Sequence, residues 1–491
     1  MRPGELSRRP GSDTIASFAI FGNCMADDNG NNRITLQDSM GEVSIPANAL
    51  YQAQTQRALD NFRISQLRIP TQVIRALARI KRCCAAVNAD LKQLDGLRAE
   101  AIVLAADTIA AGEHADEFAV DVFQTGSGTS TNMNLNEVIA TLASRQGAEV
   151  HPNDHVNMGQ SSNDVFPSAI HLAAACELHE NLLPAVLGLE NALLARSEML
   201  ADTVKTGRTH RMDALPISLV DELGAWASQL RNDRYRLQTT LTRLQQLAIG
   251  GTAVGTGVNA APDFGERVCR ALSSITGTRF SPMQNPFEGL STQNTALELS
   301  GQLRVLSASL TKICNDLRWM NSGPLSGLGE ISLQALQPGS SIMPAKVNPV
   351  IPEAVLMATA QCVGNDTTIS LAAQSANFQL NVMLPVIAYN LMQSIEILSN
   401  SCHHLVPVID NFTVNDESLA QNLELNPILV TALNPLIGYR AAAEIAKTAT
   451  REKRPILEVA LEMSEIDEAT LRRLLDPVKL ARNEFENDPG K

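Results

Sequence analysis

Aromatic residues are scarce: Phe, Trp and Tyr together make up 4% of 491 residues. So thin a supply disfavours a base-stacking platform for nucleic acid. Positive charge is also short. Against 39 Lys and Arg stand 52 Asp and Glu, a formal net charge of −13. That balance argues against non-specific binding to nucleic acid or to an anionic membrane. It also means that any anionic ligand must find a locally positive site inside a negative protein. No apolar run reaches the roughly 18 residues a membrane span needs. The cysteines, Cys24, Cys83, Cys84, Cys176, Cys269, Cys314, Cys362 and Cys402, contain no CxxC pair. Adjacent Cys83 and Cys84 fit neither a zinc nor a cluster pattern. Dispersed thiols in a long chain read as reduced, buried small hydrophobes, hence a cytoplasmic setting. Phosphate-loop and dinucleotide fingerprints are missing too, because no Gly-Lys-Ser/Thr follows the glycine clusters.

What is present is helix-forming sequence. Hydrophobic residues make up 44% of the chain. Its length exceeds the roughly 250–300 residues at which single cores stop growing, so two or three domains are expected. Residues 1–24 stand apart, with Arg2, Arg8 and Arg9 ahead of a short apolar run at 15–21. Glu5 and Asp13 speak against a mitochondrial-type presequence, so this stretch reads as a disordered extension with Met25 as the natural start. Residues 25–65 read as irregular. From Pro70 to about Ala111 the spacing of Val73, Leu77, Ile80 and Cys84 is helical. Long segments near 166–200, 217–248, 294–320 and 353–401 are rich in Ala, Leu and other helix formers. Gly364 and Pro385 predict kinks in the last of these. A helix of about 30 residues spans about 45 Å, and each apolar stripe needs a partner. From Asn411 onward, Pro427 and Pro435 mark shorter elements. The expected fold is mainly α in three domains. These are a mostly helical N-terminal domain (25–160), a central long-helix bundle (161–410) and a small C-terminal domain (411–491).

Three polar segments interrupt this helical background. They are Gly126-Ser127-Gly128-Thr129-Ser130-Thr131-Asn132, Gln160-Ser161-Ser162-Asn163-Asp164, and Gly339-Ser340-Ser341-Ile342-Met343-Pro344-Ala345-Lys346-Val347-Asn348-Pro349. Each offers hydroxyls, amides and backbone N–H groups, and a helix N-terminus adds partial positive charge that suits a carboxylate. Taken singly, each also has a plain reading as a helix cap or a Gly-Ser loop. The glycine-rich stretch 250–257 reads as close backbone packing at a helix end. A fourth segment, Gly207-Arg208-Thr209-His210-Arg211-Met212-Asp213-Ala214, sets a histidine among cations ahead of a long helix.

The 339–349 segment resembles the signature of the fumarase/aspartase superfamily. Segments 125–134, 151–164, 205–214 and 250–259 resemble that family in the same order, and the resemblance runs from about Asp38 to Leu480. Asp38-Ser39-Met40-Gly41-Glu42-Val43 and Ala53-Gln54-Thr55-Gln56-Arg57 look like the class II fumarase branch. His210 does too, since aspartases place Gln there. Residues 345–353 and 364–368 read equally like aspartase, Gln379 stands where fumarases usually carry Glu, and Ala148 replaces the Arg of the family's secondary anion site.

The resemblance implies a lyase of the tricarboxylic acid cycle that reversibly hydrates fumarate to L-malate. Aspartate ammonia-lyase and a non-catalytic scaffold of the same fold are the alternatives. It implies Ser340 as the base that takes the carbon proton, His210 as the group that manages water, and Glu353 as the partner of His210. Ser127, Thr129, Ser161, Ser162, Asn163, Thr209, Lys346 and Asn348 would hold substrate and stabilise the doubly charged intermediate. His151, Asn153 and Asp154 would form the secondary anion site. No metal and no cofactor are implied. The implied assembly is a homotetramer with active sites shared between subunits, taking a small dicarboxylate, with no nucleic acid or membrane partner.

Overall fold

The computed structural model describes residues 25–26 and 32–484; the expectation for residues 1–24 falls outside them. Five long helices form a closed ring. Leu183–Met199 packs against Leu219–Leu244 and Leu384–Asn411, Leu219–Leu244 packs against Asn294–Met320, and Val350–Ala373 closes the ring between Asn294–Met320 and Leu384–Asn411. The pattern inside one helix shows why. In Asn294–Met320, Ala296, Leu299, Leu303, Leu306, Leu310, Ile313 and Leu317 are buried and recur every three or four residues. That spacing makes one apolar seam, which aligned neighbours cover. Truncating one such leucine to Ala costs about 2–5 kcal/mol.

The segment expected at 353–401 is two helices, Val350–Ala373 and Leu384–Asn411. Pro385 lies in the first turn of the second helix, where a missing N–H costs nothing. Gly364 sits within an unbroken helix. The 374–383 connection folds back instead, held by Asn381, whose side chain donates to the Ala372 carbonyl at 3.0 Å. Ahead of the ring, Ser162–Glu177 continues through a π-helical turn, Leu178–Leu182, into Leu183–Met199.

Residues 32–65 are ordered rather than irregular. Strands Met25–Ala26, Asn32–Asp38 and Gly41–Pro46 form an antiparallel sheet, followed by helix Ala53–Asn61. Arg57 clamps the hairpin end through two bonds to Asp38, at 2.8 and 2.9 Å. Helices Thr71–Asp90 and Gly96–Ala110 pack together as the helical spacing predicted.

One apolar core runs from Leu50 to Phe412. A separate core, from Leu429 to Leu475, holds the shorter C-terminal helices together. The seven cysteines among the described residues are buried and unpaired. Burial pushes Cys83 and Cys402 up to about 12, which leaves them protonated. Among the described residues no helix is long and apolar enough to cross a membrane.

Candidate active site

The first polar segment turns at Gly128, which precedes helix Thr129–Arg145 with φ 75°. A Cβ there would stand 2.2 Å from the Phe166 ring, so only glycine fits. The turn sets the Ser127 and Thr129 hydroxyls 2.8 Å apart. Ser127 is nearly buried. The Gly126 carbonyl accepts the Leu384 N–H at 2.9 Å, which ties the segment to the start of a ring helix.

The second segment starts helix Ser162–Glu177 with a capping box. The Ser161 hydroxyl accepts the Asn163 N–H at 3.2 Å, and Asp164 accepts the Ser161 N–H at 2.9 Å. The capping reading therefore holds for both residues, and the Ser161 proton is still available to a ligand. The other Asp164 oxygen accepts the Gly250 and Thr252 N–H groups, each at 2.9 Å. Burial raises Asp164 to about 6, against the pull of those backbone donors. Asn163 donates to the Ala253 carbonyl at 2.8 Å. The 250–257 stretch thus does pack closely against a helix end, and it fixes the side chain of Asn163. Ser162 accepts from Asn132 at 2.9 Å, which joins the first two segments in one cradle.

Sequence reasoning passed over what lies beneath this cradle. Lys81, fully buried, donates to the side-chain oxygens of Asn157 and Gln160, each at 2.9 Å. A lysine in an amphipathic helix reads as a solvated cation, so only the fold reveals it.

The third segment is an exposed loop. Ser340 Oγ accepts the Met343 N–H at 3.1 Å and the Ile342 N–H at 3.3 Å. Lys346 donates to Asn348 Oδ1, and Asn348 donates to the Gly339 carbonyl, each at 2.7 Å. In this conformation Lys346 serves Asn348 rather than Ser340. A shallow cavity of about 390 Å³ is lined by residues of 335–347 alone.

His210 stands at the tip of a hairpin that sequence reasoning missed, between strands Val204–Thr209 and Met212–Ser218. His210 and Arg211 occupy the two-residue turn with φ 55° and 64°. That geometry favours Asn-Gly, and a side chain with a Cβ pays about 1–2 kcal/mol at each position. Strain of this kind held in place by the surrounding structure is a pointer to function. Arg211 lies over the Trp319 ring at 4.9 Å. At the hairpin base, buried Glu330 forms an ion pair with Lys205 at 2.8 Å and accepts from Arg208 at 2.7 Å. Glu330 leads through strand Ile331–Ser332 into the Ser340 loop, so one carboxylate anchors both elements.

The structure brings together Ser127, Thr129, Ser161, Ser162 and Asn163. Among the described residues no hydrogen bond or ion pair joins Thr209, His210 or the Ser340 loop to that cradle. Among the described residues no hydrogen bond or ion pair joins His210 to Glu353, which sits in the first turn of Val350–Ala373. The expected His210–Glu353 pair is therefore absent within one chain. His151 caps the 152–156 turn, its Nδ1 lying 3.2 Å from the Asp154 N–H nitrogen and 3.1 Å from the Asp154 carboxylate. Asn153 beside it is exposed, and Ala148 is buried.

The five-helix ring, the polar cradle at the starts of Thr129–Arg145 and Ser162–Glu177, and the exposed serine loop fit a bundle-type lyase. Residues 41–364 match the family described as Lyase, and residues 429–482 match the Fumarase C C-terminus. The chain is 55% identical to fumarate hydratase class II 2 of Pseudomonas aeruginosa, over 90% of this chain and 97% of that protein. It is 47% identical to the class II fumarate hydratase of Mycobacterium tuberculosis, over 93% and 98%. The class II fumarase structure from Schistosoma mansoni superposes with a TM-score of 0.89 at 36% identity, covering 93% of this chain and all of that one. A Brucella melitensis structure titled fumarate lyase:delta crystallin gives 0.87 at 41%, over 91% and 99%. The chain belongs to the class II fumarate hydratase family.

Proposed function

We propose that this chain catalyses the reversible hydration of fumarate to L-malate. Family membership over nearly the whole chain is the observation that carries the reading, and the site chemistry supplies a route. In the dehydration direction the substrate carboxylates lie in the cradle of Ser127, Thr129, Ser161, Ser162 and Asn163, with Thr209 of the hairpin alongside. Helix starts favour anions there. Ser340 takes the proton from the carbon beside one carboxylate. A serine hydroxyl is a weak base, and its two backbone N–H partners stabilise the alkoxide it needs to become. The electron pair moves into the carboxylate to give a doubly charged intermediate. Lys346 and Asn348 turn from each other to that charge as the loop closes. The adjacent C–O bond then breaks, and the imidazolium of His210 gives its proton to the departing hydroxide. Glu353 orients that ring.

Since one chain leaves these groups apart, the proposal includes a homotetramer with shared sites. Exposed Met357, Val363 and Leu371 on a ring helix support burial between subunits. It also includes the division at residues 160 and 410 and a cytoplasmic setting. It does not extend to anion binding at His151, Asn153 and Asp154, where an exposed carboxylate would repel the ligand. Complementation tests the reading. Ser340→Ala and His210→Ala enzymes should each fail to make malate from fumarate, and mixed tetramers reassembled from both should regain activity. Mixed tetramers as inactive as their parents would contradict the shared site.

A further inference from the structure

The two polar segments of the cradle share a buried amide relay that ends on Lys81. Lysine offers donors and no acceptor, so both amides bound to it must present oxygen. Their NH₂ groups then face away. Asn157 Nδ2 donates to the Gln160 carbonyl at 3.2 Å, and Gln160 Nε2 donates to the Val156 and Met158 carbonyls at 3.1 Å. This closes the turn that delivers Ser161 and Ser162. Asn157 Oδ1 also accepts from Asn132 Nδ2 at 3.2 Å, and the same NH₂ reaches Ser162 Oγ at 2.9 Å. Ser162 is therefore an acceptor toward the protein, and its own proton is left for a ligand.

The alternative arrangement is close at hand. Asn132 Oδ1 is buried with no partner. Were the Asn132 amide reversed, that oxygen would face Ser162 and take its proton.

We propose that Lys81 is a positioning residue for substrate binding: through Asn157 and Asn132 it keeps the Ser162 hydroxyl proton directed at a substrate carboxylate. This rests on the reading of the function above. Burial lowers Lys81 to about 7. The ammonium form, with three N–H donors and no acceptor, is the form that enforces this orientation.

A double-mutant cycle of Lys81→Met and Ser162→Ala tests the proposal, reading kcat and KM for malate and calorimetric binding of succinate, a dicarboxylate that cannot react. Each single change should weaken succinate binding and raise KM about tenfold, the worth of a hydrogen bond to a charged group, with a smaller change in kcat. Lys81→Met should add little once Ser162 is Ala. Fully multiplicative effects would overturn the proposal. So would a Ser162→Ala enzyme with unchanged binding, or a Lys81→Met enzyme that loses only melting temperature. If Lys81→Met does not fold, Asn157→Ala at a half-buried position removes the same relay and is read the same way. A wild-type chain that binds succinate but hydrates no fumarate refutes the function alone, and the cycle is then judged on binding. A wild-type chain that binds no dicarboxylate refutes both.

Discussion

Replacing Ser340 by Ala removes one oxygen whose structural duties can be counted. It accepts two backbone N–H bonds, from Ile342 and Met343. Both donors belong to residues exposed at 84% and 48%, so water takes over when the hydroxyl is gone. The Lys346–Asn348–Gly339 bonds that hold the loop are untouched. The expected stability change is within about 0.5 kcal/mol. Chemistry should suffer far more. Lys346, the nearest candidate replacement, is engaged with Asn348 and is charged rather than basic. Loss of a positioned base costs about 100- to 10,000-fold in kcat, or about 3–5 kcal/mol of barrier. KM should move much less, because the cradle is made by other segments. The assay is kcat and KM for malate beside melting temperature and particle size. A near-normal kcat in a folded enzyme of wild-type size would remove Ser340 from the mechanism.

Gly128→Ala should destabilise the chain by about 2–4 kcal/mol, from overpacking against Phe166 and a positive φ; a melting temperature unchanged from wild type would refute the close approach. Lys81 gives a pH prediction. Its value falls from 10.5 to about 7 on burial, so between those limits the unfolded chain binds more protons than the folded one. Stability from this group then rises with pH across about 7–10.5, and its penalty is fully present below about 7. Denaturant titrations of wild type and Lys81→Met should therefore diverge in favour of wild type as pH rises through that window, and a constant difference contradicts it.

The bundle of long helices was legible because long runs such as Asn294–Met320 repeat their apolar residues at helical spacing, so each needs a partner. What stayed hidden lacked a local signal. The hairpin carrying His210 turns on His-Arg, which no turn preference would select. The sheet at 32–46 uses short strands beside a turn-rich stretch, and its burial comes from contacts distant in sequence. The break at 374–383 interrupts a composition that is helix-forming on both sides. In the site, the cradle segments stood out as polar islands. Sequence alone left Asp164 and Ser161 between capping and binding. Only the fold shows Asp164 fully committed to backbone donors, and only the fold separates the cradle from the Ser340 loop within one chain.

The central claim is water addition to fumarate, and its most direct test is product identity. Purified protein would be incubated with fumarate in D₂O, with and without ammonium, and the products read by proton NMR. Malate bearing one carbon-bound deuterium should form equally well with and without ammonium. Aspartate formed only when ammonium is present, with no malate in either sample, would contradict it.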